Sequence, residues 1–170
     1  MFKKTAAAVA GVAVLSALGG AASAQASCSA STPATATYAD SPIDGDTGLA
    51  PEIGVVQASV NATCGYTLDP GVLDAMLVSG DAVFVHINTD GNPSTGSPTF
   101  HGADVAVGTL GSTSGNVPPV MGRWNSATSK FDFAGGATLT PAGVGGFTAS
   151  LDALGIANPA TTTVEVGSIY

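Results

Sequence analysis

Oxygen-bearing side chains stand at alternate positions in the middle of the chain, at Asn88, Asp90 and Asn92, and Asp104 follows a short turn-rich stretch. Calcium binds about six to eight hard oxygen atoms, which tight loops often supply from alternate residues. The spacing therefore predicts a calcium site, although it is not that of an EF-hand. The alternative is a plain hairpin turn, since Asp-Gly is a strong turn pair and Asn and Asp bond their own backbone.

A second group of acidic residues lies in the segment 38–52, where Pro, Gly and Asp predict a loop. Asp44 and Asp46 are separated by a single glycine, and carboxylates that close repel each other unless a cation joins them. The two carboxylates are close enough to face one ion, and this segment could add calcium ligands from another part of the fold. The alternative is a solvated turn with no ion.

The only two histidines are His86 and His101. A transition-metal site would require them to converge. His86 alternates with Val85 and Ile87 on a predicted strand, which favours a packed histidine, whereas His101 is expected to be a solvated loop residue.

An apolar, β-branched run at 82–87 predicts a buried strand immediately before the oxygen-rich turn. With 23 glycines and 10 prolines, the chain is rich in turn residues, and it shows no long helical periodicity beyond its N-terminus. The pattern predicts an all-β fold, an antiparallel β-sandwich of about eight strands. A short helical turn is also expected at 69–77. The predicted strands are 53–60, 63–68, 82–87, 104–107, 120–124, 130–133, 146–151 and 161–169.

The N-terminus has the pattern of a secretory signal peptide at 1–24, with Lys3 and Lys4 before an apolar stretch and Ala22-Ser23-Ala24 at its end. A flexible leader or weak first strand follows at 25–37, and the sandwich domain spans 38–170. The chain is accordingly expected to be secreted, either periplasmic or extracellular, with no membrane span after cleavage.

Cleavage would leave only Arg123 and Lys130 against 12 acidic residues, a formal charge of −10 compared with −8 for the full chain. That charge disfavours nucleic acid and anionic membranes as partners. Cys28 and Cys64 are expected to form a disulfide, as an even pair does in an oxidising compartment.

Aromatic residues offer a second type of chemistry, the stacking of rings on a sugar. Trp124 and Tyr66 are the predicted ligand-binding residues, with Phe100, Phe131 and Phe133 as further candidates. The alternative is that these rings belong to the core. The sequence contains no nucleophile elbow, zinc-protease motif or phosphate-binding loop, and the chain is predicted not to be an enzyme.

Three segments resemble secreted bacterial β-sandwich proteins of undefined role, which are distantly similar to DOMON domains and family-9 carbohydrate-binding modules. The segments are the opening Y-A-D at 38–40 with P-E-I at 51–53, the central F-V-H-I-N-T-D-G-N-P-S-T-G at 84–96 with G-A-D-V at 102–105, and F-T-A-S-L-D-A-L-G at 147–155. The resemblance implies a jelly-roll-like sandwich with calcium and sugar or ligand binding. By position it implies ligand roles for Asp46, Asp90, Asn92 and Asp104. Asn88 and Glu52 stand where the pattern has Asp, and Val105 stands where an aromatic residue is usual.

The first functional hypothesis is a secreted, non-catalytic binding module with a structural calcium ion and carbohydrate as the leading ligand. The second is an extracellular surface or matrix interaction protein without a small-molecule ligand. The third is a secreted hydrolase, which would require an acid and a base to converge in a cleft.

Overall fold

Two antiparallel sheets make up the fold of the computed structural model, which describes residues 10–14, 34–39, 51–133 and 139–169. The sandwich predicted from the sequence is therefore confirmed. The large sheet has the order β1-β12-β5-β6-β8-β9, with β7 paired to β6, and the small sheet has the order β10-β11-β4-β3-β2. The strands are β1 (Ala10–Val14), β2 (Ala34–Ala39), β3 (Val55–Val60), β4 (Gly65–Asp69), β5 (Ala82–Asn88), β6 (Val105–Ser112), β7 (Gly115–Asn116), β8 (Val120–Asn125), β9 (Lys130–Asp132), β10 (Thr140–Pro141), β11 (Phe147–Ser150) and β12 (Thr163–Ile169).

The core lies between the sheets and is built by period-2 alternation, because successive side chains of a strand point to opposite faces. In β5, Val83, Val85 and Ile87 are fully buried, and the neighbouring β6 and β12 add further valines. The small sheet supplies the opposing layer with Tyr66, Leu68, Phe147 and the apolar residues of β3. Phe84, His86 and Asn88 consequently lie on the outer face of β5.

The eight predicted strands are all present, and the described residues contain four more, β1, β2, β7 and β10. β2 begins at Ala34, inside the segment assigned to the leader. β1 pairs with β12 and lies inside the predicted signal peptide, whose cleavage stays a prediction.

Two local predictions were wrong. The strand predicted at 104–107 is too short, because β6 continues through the Gly- and Ser-rich stretch to Ser112 and returns through β7 as a hairpin. Residues 70–77 contain no helix, because the chain there forms a single bridge from Val72 to Ile53 and then bends. The one α-helix among the described residues is α1 (Leu151–Leu154), capped by the Ser150 hydroxyl, where the sequence predicts a turn or short helix.

Candidate functional site

Asn88 ends β5 and fastens the loop that follows it. Its side chain is buried, the Oδ1 atom accepts from Gly91 N at 2.7 Å, and the Nδ2 atom donates to the His101 carbonyl oxygen at 3.0 Å. A single amide thus binds both ends of the stretch 89–104. The loop also closes on itself, because Ser97 N donates to Ala103 O at 2.8 Å.

Asp104 fastens the same loop where it enters β6. Its Oδ2 atom accepts from both the backbone N and the hydroxyl of Thr89, at 2.9 and 3.0 Å. The Asp104 backbone N donates in turn to Ile87 O, which joins the end of β5 to the start of β6. This predicted calcium ligand therefore uses one of its carboxylate oxygens to hold the loop.

Asp90, Asn92 and Thr95 form an exposed turn beyond Asn88. The Thr95 hydroxyl oxygen lies 3.1 and 3.0 Å from the two carboxylate oxygens of Asp90 and 2.8 Å from the Asn92 carbonyl oxygen. Asp90 Oδ1 also accepts from Asn92 N at 2.7 Å. Each carboxylate oxygen keeps lone pairs beyond these bonds, and the turn gathers three acceptor oxygens around the Thr95 hydroxyl.

The predicted ligand set is only partly brought together. Asn88 and Asp104 bind the two ends of the loop, whereas Asp90 and Asn92 form their own turn. Asp46 lies outside the described residues. Within the described ranges, no group of three or more His, Cys, Asp or Glu side chains could hold a metal ion.

The fastened loop carries Phe100 onto the outer face of the large sheet. Residues Pro98–Phe100 form a single 3-10 turn, and the Phe100 ring stacks on the His86 ring with centroids 3.6 Å apart and planes 6° apart. His101 follows in the left-handed conformation, with φ 49°, and its Nδ1 atom lies 3.0 Å from Glu165 Oε2 of β12. The loop thus contributes one ring and one polar side chain to this face.

Six ring-bearing residues form a patch on that outer face, which we call the aromatic face. The rings of Phe84 and His86 stack along β5 with centroids 6.3 Å apart. The centroid of the Phe131 ring lies 5.6 Å from that of His86 and 5.2 Å from that of Trp124. The members of the aromatic face are Phe84, His86, Phe100, Trp124, Phe131 and Phe133.

Glycines beneath the rings provide the space for them. A Cβ atom on Gly122 would lie 3.0–3.1 Å from three consecutive ring atoms of Phe133, and one on Gly108 would lie 3.0 Å from Phe84 Cε1. Phe84 faces Gly108 on one side and Gly167 on the other in the strand register. The rings therefore rest directly on the backbone of the sheet.

The aromatic face is partly open to solvent. Phe133 keeps 43% of its exposure, and Trp124, Phe131 and Phe100 are half-buried. His86 is buried at 9%, as expected for a packed strand histidine, and His101 is exposed, as expected for a loop residue. Burial lowers the pKa of His86 to about 4, so its imidazole is neutral at physiological pH.

Tyr66 does not belong to this face, and its predicted role in sugar stacking is wrong on position. It is fully buried on the inner side of β4 and packs against Phe147, with ring centroids 6.4 Å apart. Its phenol oxygen has no hydrogen-bond partner among the described residues, and burial raises the pKa of the hydroxyl. The sequence did contain a sign that Tyr66 is buried, because strand alternation places it on the same face as Leu68.

Two residues of this region were not predicted from the sequence as site residues. Phe84 is a member of the aromatic face, and Glu165 lies beside it on β12. The signal for Phe84 lay in β5, where Phe84, His86 and Asn88 alternate with aliphatic residues. Cys64 lies at the β3–β4 turn with φ 65° and packs partly against the core. Its predicted partner Cys28 is outside the described residues, so the disulfide stays a prediction.

Comparisons of the chain with protein-family models, curated proteins and solved structures gave no match. The resemblance to DOMON domains and family-9 carbohydrate-binding modules therefore stays an expectation drawn from the motifs alone. In the described part of the chain, no helix is long and apolar enough to cross a membrane.

Proposed function

We propose that the protein is a secreted, non-catalytic binding module that takes carbohydrate on the aromatic face. The observation that carries the proposal is the replacement of polar side chains by rings on the outer side of a sheet. The outward face of an antiparallel sheet is ordinarily solvated and polar. An exposed apolar patch with a polar border is typical of a binding site.

The chemistry of the rings suits a sugar. A pyranose presents a face of C–H groups, which packs on aromatic rings, while its hydroxyl groups need hydrogen-bond partners at the edge. Phe133 and Trp124 supply exposed ring surface. Glu165 and His101 border the rings with polar groups.

Binding should be measured by a glycan array and then by titration of the leading glycan. Trp124→Ala and Phe133→Ala are expected to weaken binding by at least tenfold each, because each removes ring surface from the face. Tyr66→Phe is the matched control, since it changes an aromatic residue buried on the other side of the sandwich and should leave affinity unchanged. Failure of the folded protein to bind any glycan would favour the second hypothesis, a surface or matrix interaction protein.

Export is part of the same proposal and rests on the signal-peptide pattern of residues 1–24. Sequencing the N-terminus of the exported protein should give Gln25 as the first residue. An intact N-terminus in the cytoplasm would contradict export.

A structural calcium ion at the Asp90 turn is a separate candidate. Four oxygen atoms support it, since calcium binds oxygen ligands. The two carboxylate oxygens of Asp90 and the carbonyl oxygen of Asn92 lie 2.8–3.1 Å from the Thr95 hydroxyl oxygen. At a calcium concentration about 100-fold above Kd, the ion would add about 2.7 kcal/mol of stability. The melting temperature in calcium should then exceed that in EGTA, and Asp90→Asn should remove the difference; equal values for the wild type would contradict the site.

A further inference from the structure

We propose that the carbohydrate bound by the aromatic face is a polymer of amino sugars carrying protonated amines, an inference that rests on the proposed function. Three features of the face support it: the position of a carboxylate, the absence of a Lys or Arg side chain beside it in the described residues, and the quadrupoles of the rings. Each feature favours a positively charged ligand, whereas the proposed function does not specify the charge of the sugar.

A carboxylate on β12 borders the rings, next to β5. Glu165 of β12 is directly opposite His86 of β5 in the register. Opposite residues of an antiparallel pair have Cβ atoms about 4.5–5.5 Å apart, on the same face. The Glu165 side chain keeps 13% of its exposure and pairs with His101, whose side chain is 66% exposed. Glu165 therefore presents negative charge beside the rings, and its partner is one that a ligand can displace.

The basic residues near the face point their charge elsewhere. Arg123 lies on β8, and its Nη2 atom donates to the Ala153 carbonyl oxygen of α1 at 2.9 Å. Lys130 is opposite Asn125 at the far end of the β8–β9 hairpin. His86 is neutral at physiological pH because burial lowers its pKa to about 4. Among the described residues, no Lys or Arg side chain thus lies beside Glu165, whose partner is the exposed His101.

The rings themselves attract cations. An ammonium group above an aromatic face is held by the ring quadrupole, and the attraction increases as water is excluded. The chain carries a formal charge of −8, which raises the local concentration of a polycation and repels uronic-acid or sulfated polymers. A chain of amino sugars combines a C–H face for the rings with an ammonium for Glu165.

The test compares a β-linked glucosamine oligomer with its N-acetylated counterpart of equal length, which has the same backbone without the charge. The glucosamine oligomer is expected to bind at least fivefold more tightly at low salt, and added salt should reduce the difference. A neutral glucan and polygalacturonate complete the panel. Equal binding of the two oligomers, preference for the N-acetylated one, or no binding to any of the four polymers would overturn the proposal while the proposed function survives; no binding to any member of the glycan array would overturn both.

Two substitutions at the His101–Glu165 pair should act in opposite directions. Glu165→Gln keeps the shape and should cost about two- to fivefold in affinity for the glucosamine oligomer, the range of an exposed ion pair, with a smaller loss for the N-acetylated one, so that the ratio between the two oligomers falls. His101→Asn, which tolerates the left-handed backbone, frees the carboxylate and should increase affinity for the charged oligomer. If both variants fold and neither changes the ratio between the oligomers, Glu165 does not read the amine and the proposal fails.

Discussion

Substitution of Asn88 by Ala tests whether this residue positions the loop 89–104. The variant removes two hydrogen bonds, from Gly91 N at 2.7 Å and to His101 O at 3.0 Å. A net hydrogen bond contributes about 0.5–1.5 kcal/mol, so the loss should be about 1–3 kcal/mol. For a chain of this size, each kcal/mol lowers the melting temperature by about 2–4 °C. We expect a decrease of about 2–12 °C.

The effect on binding should exceed what stability explains, because the His101 end of the loop also carries Phe100. Without Asn88, the Phe100 ring is no longer held over His86, and affinity for the glycan should drop several-fold while the protein stays folded. Asn61→Ala is the matched control. Asn61 Oδ1 accepts from Thr63 N and Gly65 N at the β3–β4 turn, so a similar loss of stability is expected with no change in binding.

Melting curves and glycan titrations on the two variants decide the matter. If Asn88→Ala loses no more affinity than Asn61→Ala, the loop does not depend on Asn88 to present Phe100. If neither variant loses stability, the hydrogen bonds at both turns contribute less than their geometry indicates.

Three further substitutions or treatments probe the rest of the fold. Gly122→Ala should lift the Phe133 ring, since the new Cβ would lie 3.0 Å from it, and should weaken glycan binding several-fold at a cost of about 1–3 kcal/mol. The pKa of His86 is lowered by burial to about 4 from 6.5, so the unfolded chain binds the proton first and stability should decrease by about 3 kcal/mol as the pH falls from 6.5 to 4. In His86→Phe, the free energy of unfolding should depend less on pH between 6.5 and 4. An unchanged pH dependence would contradict the lowered pKa of His86. Reduction of a Cys28–Cys64 disulfide should lower stability by about 3–4 kcal/mol, and intact-mass analysis showing two free thiols in the exported protein would exclude the bridge.

The strands of the core could be predicted because their alternation is local. The alternation of Val83, Val85 and Ile87 predicts β5. Its pairing with β6 and β12 follows because those residues must be buried on one side. The continuation of β6 through Gly108 could not be read from the sequence. A glycine ordinarily weakens a strand, and only the packing of Phe84 over Gly108, a contact between two strands, accounts for it.

The candidate site was predictable in its residue types but not in its arrangement. The oxygen-rich segment 88–92 stands out by composition, yet its partners Gly91, His101 and Thr89 become visible only when the loop is closed. Trp124 was selected as the single tryptophan, and Tyr66 was selected on the same chemical ground. Their different positions follow from strand phase and sheet pairing, because Tyr66 shares the inner face with Leu68 and Trp124 is paired with Phe131.

The two roles open to Asn88, loop fastener and calcium ligand, differ in the sign that they predict for Asn88→Asp. A carboxylate can still accept from Gly91 N, but it places an oxygen where Nδ2 now donates to the His101 carbonyl, 3.0 Å away. Two acceptors that close repel each other, so in EGTA the variant should be less stable than the wild type. An ion bound between them would reverse the effect, since calcium prefers oxygen ligands and gains affinity from each added charge. Calcium-dependent rescue of Asn88→Asp would therefore place the ion at the end of β5, whereas equal melting temperatures with and without calcium would leave Asn88 as a hydrogen-bonding residue only.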